Sequence, residues 1–113
     1  MSTNFLNFSD GKESSNPIKV DLIALKKAVL IQRALNHKLR QQILRLISDN
    51  GTITVTEIYV KLRLEQSVAS QQLAILRKAG FVKTKREGKF INYAVNMPRI
   101  RQISQVVNTI ASN

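Results

Sequence analysis

A chain of 113 residues and 12.8 kDa has room for one small domain, since single domains mostly run to roughly 100–200 residues, and this excludes a multidomain enzyme. With 43% apolar residues, four Phe, two Tyr and no Trp, its core has to be built from Leu, Ile, Val and Ala. Eighteen Lys and Arg against seven Asp and Glu give a net charge of +11, a balance that suits a polyanionic partner. The absence of Cys excludes a disulfide framework, a thiolate zinc site, a catalytic thiol and a cysteine redox switch together. His37 is the one histidine, too few for a triad or a His cluster. No window reaches the roughly 18 consecutive apolar residues of a membrane span, and the N-terminus lacks the features of a signal peptide. The chain is therefore expected in the cytoplasm.

Residues 1–17, MSTNFLNFSDGKESSNP, are rich in Asn and Ser and end at Pro17, which suggests a mobile arm ahead of a single domain over 18–113. Phe5, Leu6 and Phe8 are the arm's candidates for docking onto a partner subunit. From Ile18 to Leu35 a dense apolar run (Leu22, Ile23, Leu25, Ala28, Val29, Leu30, Ile31) is broken by Lys26, Lys27 and Arg33. A helix with so little polar face needs burial on more than one side, which points to a subunit interface. Asn36 is the expected N-cap of a second helix, whose Leu39, Ile43, Leu44, Leu46 and Ile47 keep helical spacing until Asp49-Asn50-Gly51. Thr54 with Glu57 three residues on reads as a capping box for a short third helix to about Leu62. A fourth helix is expected from about Gln66 to Ala79, with Gly80 where a left-handed residue is needed.

The period then changes. Phe81–Arg86 and Lys89–Val95 are β-prone and flank Glu87-Gly88, as in a hairpin. Asn96 reads as the cap of a last helix over about 97–113, with Pro98 in its first turn. In that helix Ile100, Ile103, Val106, Val107, Ile110 and Ala111 share one arc, so it must cover something.

Three helices, a further helix, a hairpin and a last helix follow the order of a winged helix-turn-helix, mainly α with a small β-hairpin. Its third and fourth helices would form the DNA-binding unit. Charge agrees: Arg77, Lys78, Lys83, Lys85, Arg86 and Lys89 face only Glu87 in the segment 77–89. A hairpin tip with Lys85, Arg86 and Lys89 can follow phosphates or enter a minor groove. The plain alternative is an edge hairpin protected by lysines against strand addition. At about 100° per residue the fourth helix splits into an inner arc (Val68, Ala69, Leu73, Ile75, Leu76, Ala79) and an outer one (Ser67, Ser70, Gln71, Ala74, Arg77, Lys78). The outer arc offers short hydroxyls and an amide that can hydrogen-bond base edges, followed by cations for phosphates.

The stretch Ala34–Leu44, the run Gln66–Val82, then Arg86-Glu87-Gly88-Lys89 and Tyr93 together resemble the ArsR-type winged-helix repressors over residues 34–95. The resemblance implies a bacterial homodimer of order α1-α2-α3-α4-β-β-α5 with a dimer interface on the first and last helices (Leu22, Leu25, Val29, Ile100, Ile103, Val107, Ile110). It also implies that Ser67, Ser70 and Gln71 face the major groove of double-stranded DNA and that the wing contacts DNA backbone or minor groove. With the charges read above, the expected contacts are Gln66, Ser67, Ser70, Gln71, Arg77 and Lys78 on the recognition helix and Lys85, Arg86 and Lys89 on the wing. The family often has His before the fourth helix's Leu; this chain has Gln72, placed toward the core and read as packing or a local hydrogen bond. Metal-sensing members carry Cys two and four residues after the third helix's Glu, where this chain has Tyr59 and Lys61. Others bind zinc through Asp, His and Glu of the terminal helices, and residues 97–113 contain none of these.

The resulting expectation is a dimeric, sequence-specific DNA-binding regulator of a pseudo-palindromic operator. It would repress by occluding a promoter, with no metal, cofactor or thiol-redox site and no membrane association. An unidentified small-molecule or protein effector stays open. A winged-helix protein-interaction module, with the basic face turned to an acidic partner, is the alternative. Glu57 and Glu65 are better explained as helix-terminal residues than as catalytic acids, so no enzyme is expected.

Overall fold

The computed structural model describes residues 4–9, 11 and 18–112 and divides the chain into two compact units, Met1–Gln32 and Arg33–Asn113. The first unit opens with β1 (Phe5–Phe8) and β2 (Ile18–Asp21), paired antiparallel from Phe5 opposite Asp21 to Phe8 opposite Ile18. Side chains alternate along a strand, so Leu6, Phe8, Ile18 and Val20 share one face of this ribbon. The first helix, α1 (Leu22–Leu35), follows without a linker. The Asp21 carboxylate accepts from the backbone N–H of Ile23 at 3.0 Å and Ala24 at 3.2 Å, satisfying two of the donors that every helix start leaves free.

These contacts correct two expectations. Phe5–Phe8 is a strand rather than part of an unstructured arm; residues 1–3, 10 and 12–17 of that arm lie outside the described residues. The first helix begins at Leu22, not Ile18, because alternating Ile18-Lys19-Val20-Asp21 suits a strand and Asp21 then caps the helix after it. None of the described residues of this first unit is buried.

The second unit contains the core. Helix α2 (Lys38–Asn50) starts one residue later than expected: His37, extended at φ −153° and ψ 123°, is the N-cap and its side chain makes no capping bond. Asn36 lies in the tight turn closed by the His37 N–H to the Leu35 carbonyl at 2.9 Å. Ile43, Leu44 and Ile47 are its buried stripe. A two-residue strand β3 (Ile53–Thr54) leads into α3 (Val55–Lys61), and the capping box is formed: Thr54 Oγ1 accepts from the Glu57 N–H, and Glu57 accepts from the Thr54 N–H.

Helix α4 (Gln66–Lys78) is followed by β4 (Val82–Glu87), β5 (Phe90–Val95) and α5 (Met97–Ala111). The sheet order is β3-β5-β4, all antiparallel, so the expected hairpin has a third strand at Ile53 opposite Tyr93. The hairpin turn is Gly88-Lys89, between the paired Glu87 and Phe90, one residue beyond the expected Glu87-Gly88. Gly88 at φ 62° takes the first central position of a two-residue loop, where a positive φ suits glycine. Ile43, Ile47, Ile53, Ile58, Leu73, Leu76 and Phe81 are completely enclosed, joining α2, α3, α4 and the sheet into one core. No helix among the described residues is long and apolar enough to cross a membrane.

Between α3 and α4 the chain turns through Arg63, which has φ 55°. Its N–H reaches the Val60 carbonyl at 3.3 Å and the Leu64 N–H reaches Tyr59 at 2.9 Å, the hydrogen-bond pair that closes a helix through a left-handed residue. That conformation costs an L-residue about 1–2 kcal/mol, part of which glycine returns through a freer unfolded chain. Arg63→Gly should therefore stabilise the protein by about 0.5–1 kcal/mol, read as a higher urea midpoint at unchanged slope.

Candidate nucleic-acid interface

The interface is built on α4. Ala69, Leu73 and Leu76 are buried against the core, which turns the other side of the helix outward. Gln66, Ser67, Ser70, Gln71, Ala74, Arg77 and Lys78 are all exposed. At 100° per residue, Ser67, Gln71, Ala74 and Lys78 form the outermost strip, and Ser70 and Arg77 lie on one flank. Ile75 departs from its expected place on the inner arc: it is 40% exposed, because it sits roughly 130° around the helix from the centre of the buried stripe.

Gln72 and Val68 lie on the opposite flank, half-buried. Gln72 Oε1 accepts a hydrogen bond from Arg40 Nη1 at 2.8 Å. The expected hydrogen bond of Gln72 is thus present, but it crosses to α2 instead of staying within α4.

Gly80 sets how the wing leaves α4. At φ 84° it lets its own N–H reach the Arg77 carbonyl at 3.0 Å and the Phe81 N–H reach Leu76 at 2.9 Å, while the Phe81 side chain is completely buried. Asn96, the expected cap of α5, makes no side-chain capping bond. Its amide instead donates to the Gly80 carbonyl at 2.8 Å, and its backbone N–H to the Phe81 carbonyl at 2.8 Å. The start of β4 and the end of β5 are thereby tied to the end of the outward-facing helix.

Strand register places the wing's charges. Lys83, Lys85 and Glu87 share a face with Phe90 and Asn92, and Thr84 and Arg86 share the other with Ile91 and Tyr93. Lys85 and Arg86 therefore project from opposite faces of the ribbon. Lys89, in the turn, holds its Nζ 5.5 Å from the Phe90 ring centroid, and Arg86 Nε donates to the Gly88 carbonyl at 3.3 Å. On the Arg86 face, a groove of about 420 Å³ separates the wing from α4, lined by Ser70, Leu73, Ala74, Arg77, Lys78 and Tyr93. Leu73, Ala74 and Tyr93 line it without having been expected as contacts; Tyr93 reaches it from β5, across the fold from α4.

A helix pair with a short turn, an outward second helix and a three-stranded wing define a winged helix-turn-helix. The bacterial regulatory protein arsR family matches residues 37–84. An HTH-type transcriptional regulator of Methanocaldococcus jannaschii is 34% identical over 85 residues, 75% of this chain and 96% of that one. The structure of HlyU from Vibrio cholerae aligns with a TM-score of 0.62 at 30% identity, covering 80% of this chain and 97% of that one. That of the transcriptional repressor PagR of Bacillus anthracis aligns at 0.62 and 27%, covering 78% and 100%. The chain belongs to the ArsR family: it is a DNA-binding transcriptional regulator and not an enzyme.

Gly80→Ala forces a side chain into the left-handed region. The added Cβ would stand 3.0 Å from Arg99 Nε and Nη2, the end of a flexible side chain that can swing away, so the backbone term governs. A loss of about 1–2 kcal/mol is expected, measured by thermal or urea unfolding.

Proposed function

We propose that this regulator binds a pseudo-palindromic operator as a homodimer in the cytoplasm and represses by occluding a promoter, without a metal, cofactor or thiol switch. The observation that carries the reading is the outward strip of α4 beside a basic wing. Gln66, Ser67, Ser70 and Gln71 read base edges in the major groove, and Arg77 and Lys78 hold phosphates. Small hydroxyls let the helix backbone approach closely, and the Gln71 amide offers both a donor and an acceptor. Lys85 and Arg86, projecting from opposite faces, suit a ribbon that meets the two phosphate rows bordering a minor groove, with Lys89 at the tip. The relatives include the repressor PagR and the transcriptional activator HlyU; the assigned direction follows the former and is decided by the promoter test below.

Dimerisation accounts for apolar surface that α1 and α5 each leave exposed among the described residues. No residue of α5 is buried, and Val107 and Ile110 are 43% and 73% exposed. Ile100 and Ile103 are half-buried on the same helix. On α1, Leu25 and Val29 are exposed and Leu22 is half-buried. Two copies related by a two-fold axis would read half-sites about 34–36 Å apart. The absence of metal sensing is supported by Tyr59 and Lys61, an aromatic hydroxyl and an ammonium, at the positions of the family's thiolates.

Two sets of variants test the DNA contacts by fluorescence anisotropy on a duplex selected from a random pool. Lys85, Arg86 and Lys89 replaced together by Ala should weaken binding to every sequence and lower the salt slope by about 2.7, from roughly 0.9 per phosphate contact. Ser70→Ala and Gln71→Ala should instead cost about 1–3 kcal/mol of discrimination at the base pairs they read; equal loss on selected and random DNA would sink their role in readout. Placed in a promoter, the selected duplex should lower reporter transcription, and a rise would reverse the assigned direction. For the dimer, sedimentation of Val107→Glu with Ile110→Glu should show a monomer at concentrations where the unaltered chain is dimeric.

A further inference from the structure

Arg40, in the first turn of α2, commits its guanidinium to three fixed acceptors. Nε donates to the Ala34 carbonyl at 2.6 Å, Nη2 to the Arg33 carbonyl at 3.2 Å and Nη1 to Gln72 Oε1 at 2.8 Å. The first two acceptors belong to the last turn of α1, whose carbonyls have no further helical N–H to meet and whose dipole favours a cation. The third is a side chain in the middle of α4. One rigid, planar fork therefore ties the end of α1 to the helix that faces outward.

The geometry points to Arg40 and Gln72 as positioning residues for base readout, a pin that fixes the rotation of α4 about its own axis. This rests on the DNA-binding reading above. The buried stripe of α4, Ala69, Leu73 and Leu76, holds the helix against the core by non-directional apolar contact. Such contact tolerates a small roll. Hydrogen bonds to base edges do not: a working site holds its groups within about 0.5 Å and 10–20°. A charge-assisted bond is directional enough to remove that freedom. Gln72 directly follows Gln71 and lies two residues beyond Ser70, so a roll at Gln72 carries both outward side chains with it. Gln72 stands roughly 70° from the buried stripe, on the flank away from Ser70 and Arg77. The pin and the wing groove thus lie on opposite sides of the helix.

The test uses the full chain and two duplexes: one enriched by the unaltered protein from a pool with a randomised core, and a scrambled duplex of equal composition. Gln72→Leu, which keeps the volume but deletes the acceptor, should lose about tenfold on the enriched duplex, the scale of one charge-assisted hydrogen bond, and stay within about twofold on the scrambled one. Gln72→Glu keeps the acceptor and should return to within about threefold of the unaltered protein on the enriched duplex. Arg40→Lys, a point charge that cannot serve three acceptors at once, should behave like Gln72→Leu. Undiminished discrimination by Gln72→Leu overturns the pin, as does an equal loss on both duplexes, which would mark a structural role only. A pool that enriches no sequence overturns the DNA-binding reading itself, and the pin's role with it.

Discussion

Burial of Ala69, Leu73 and Leu76 is the contact on which the rest of this structure depends. Each of the two leucines gains about 1.5–3 kcal/mol by leaving water, and no other rotation of α4 buries all three residues. Once that stripe is inside, Ser67, Gln71 and Lys78 have to face out, and Arg77 and Ser70 have to border the groove toward Tyr93. The surface proposed to meet DNA is thus determined from within. Polar, short side chains on the outer strip contribute little to stability, and they are free to serve recognition because the inner stripe has already placed them.

Much of this was legible in the sequence because it rests on local chemistry. The Thr54–Glu57 box, the turn at Gly80 and the two strands of the wing each carry a mechanism within a few residues of themselves. The departures share a different origin. Strand β3 is two residues long, shows no periodicity, and exists because Ile53 and Thr54 meet β5 some forty residues later. Strand β1 needs β2 across an intervening segment. Asn36 is a good capping residue by type, yet the tight turn to Leu35 moves the helix start to His37. Asn96 behaves similarly: its amide is drawn to the Gly80 carbonyl, a partner that only the folded chain supplies. Ile75 illustrates the pull of residue type on an angular reading: its apolar side chain reads as inward, while its position roughly 130° from the buried stripe turns it outward. The outward placement of the α4 candidates was readable because the outer arc is defined by its neighbours on the same helix, and the Arg40 contact was not, because it spans 32 residues.

The two units distribute their apolar surface differently. The core of the second unit is closed by α2, α3, α4 and the sheet, and α5 contributes no buried residue to it. Within the first unit the β1–β2 ribbon has an apolar face of Leu6, Phe8, Ile18 and Val20, and no described residue there is buried. An isolated two-stranded ribbon is marginal in water, and its rigid join to α1 through Asp21 ties its fate to that helix. Under the dimeric reading the stability of these segments depends on protein concentration.

Tyr93 gives the groove between α4 and the wing a property of another kind. The chain has no Trp and two Tyr, so its tyrosine emission comes from Tyr59 on α3 and from Tyr93. Tyr93 lines the groove beside Ser70 and Arg77, where a docked polyanion would change the surroundings of its ring. Under the proposed DNA-binding reading the unmodified protein thus has an optical reporter in the candidate interface, and occupancy of the groove can be followed without attaching a label to either partner.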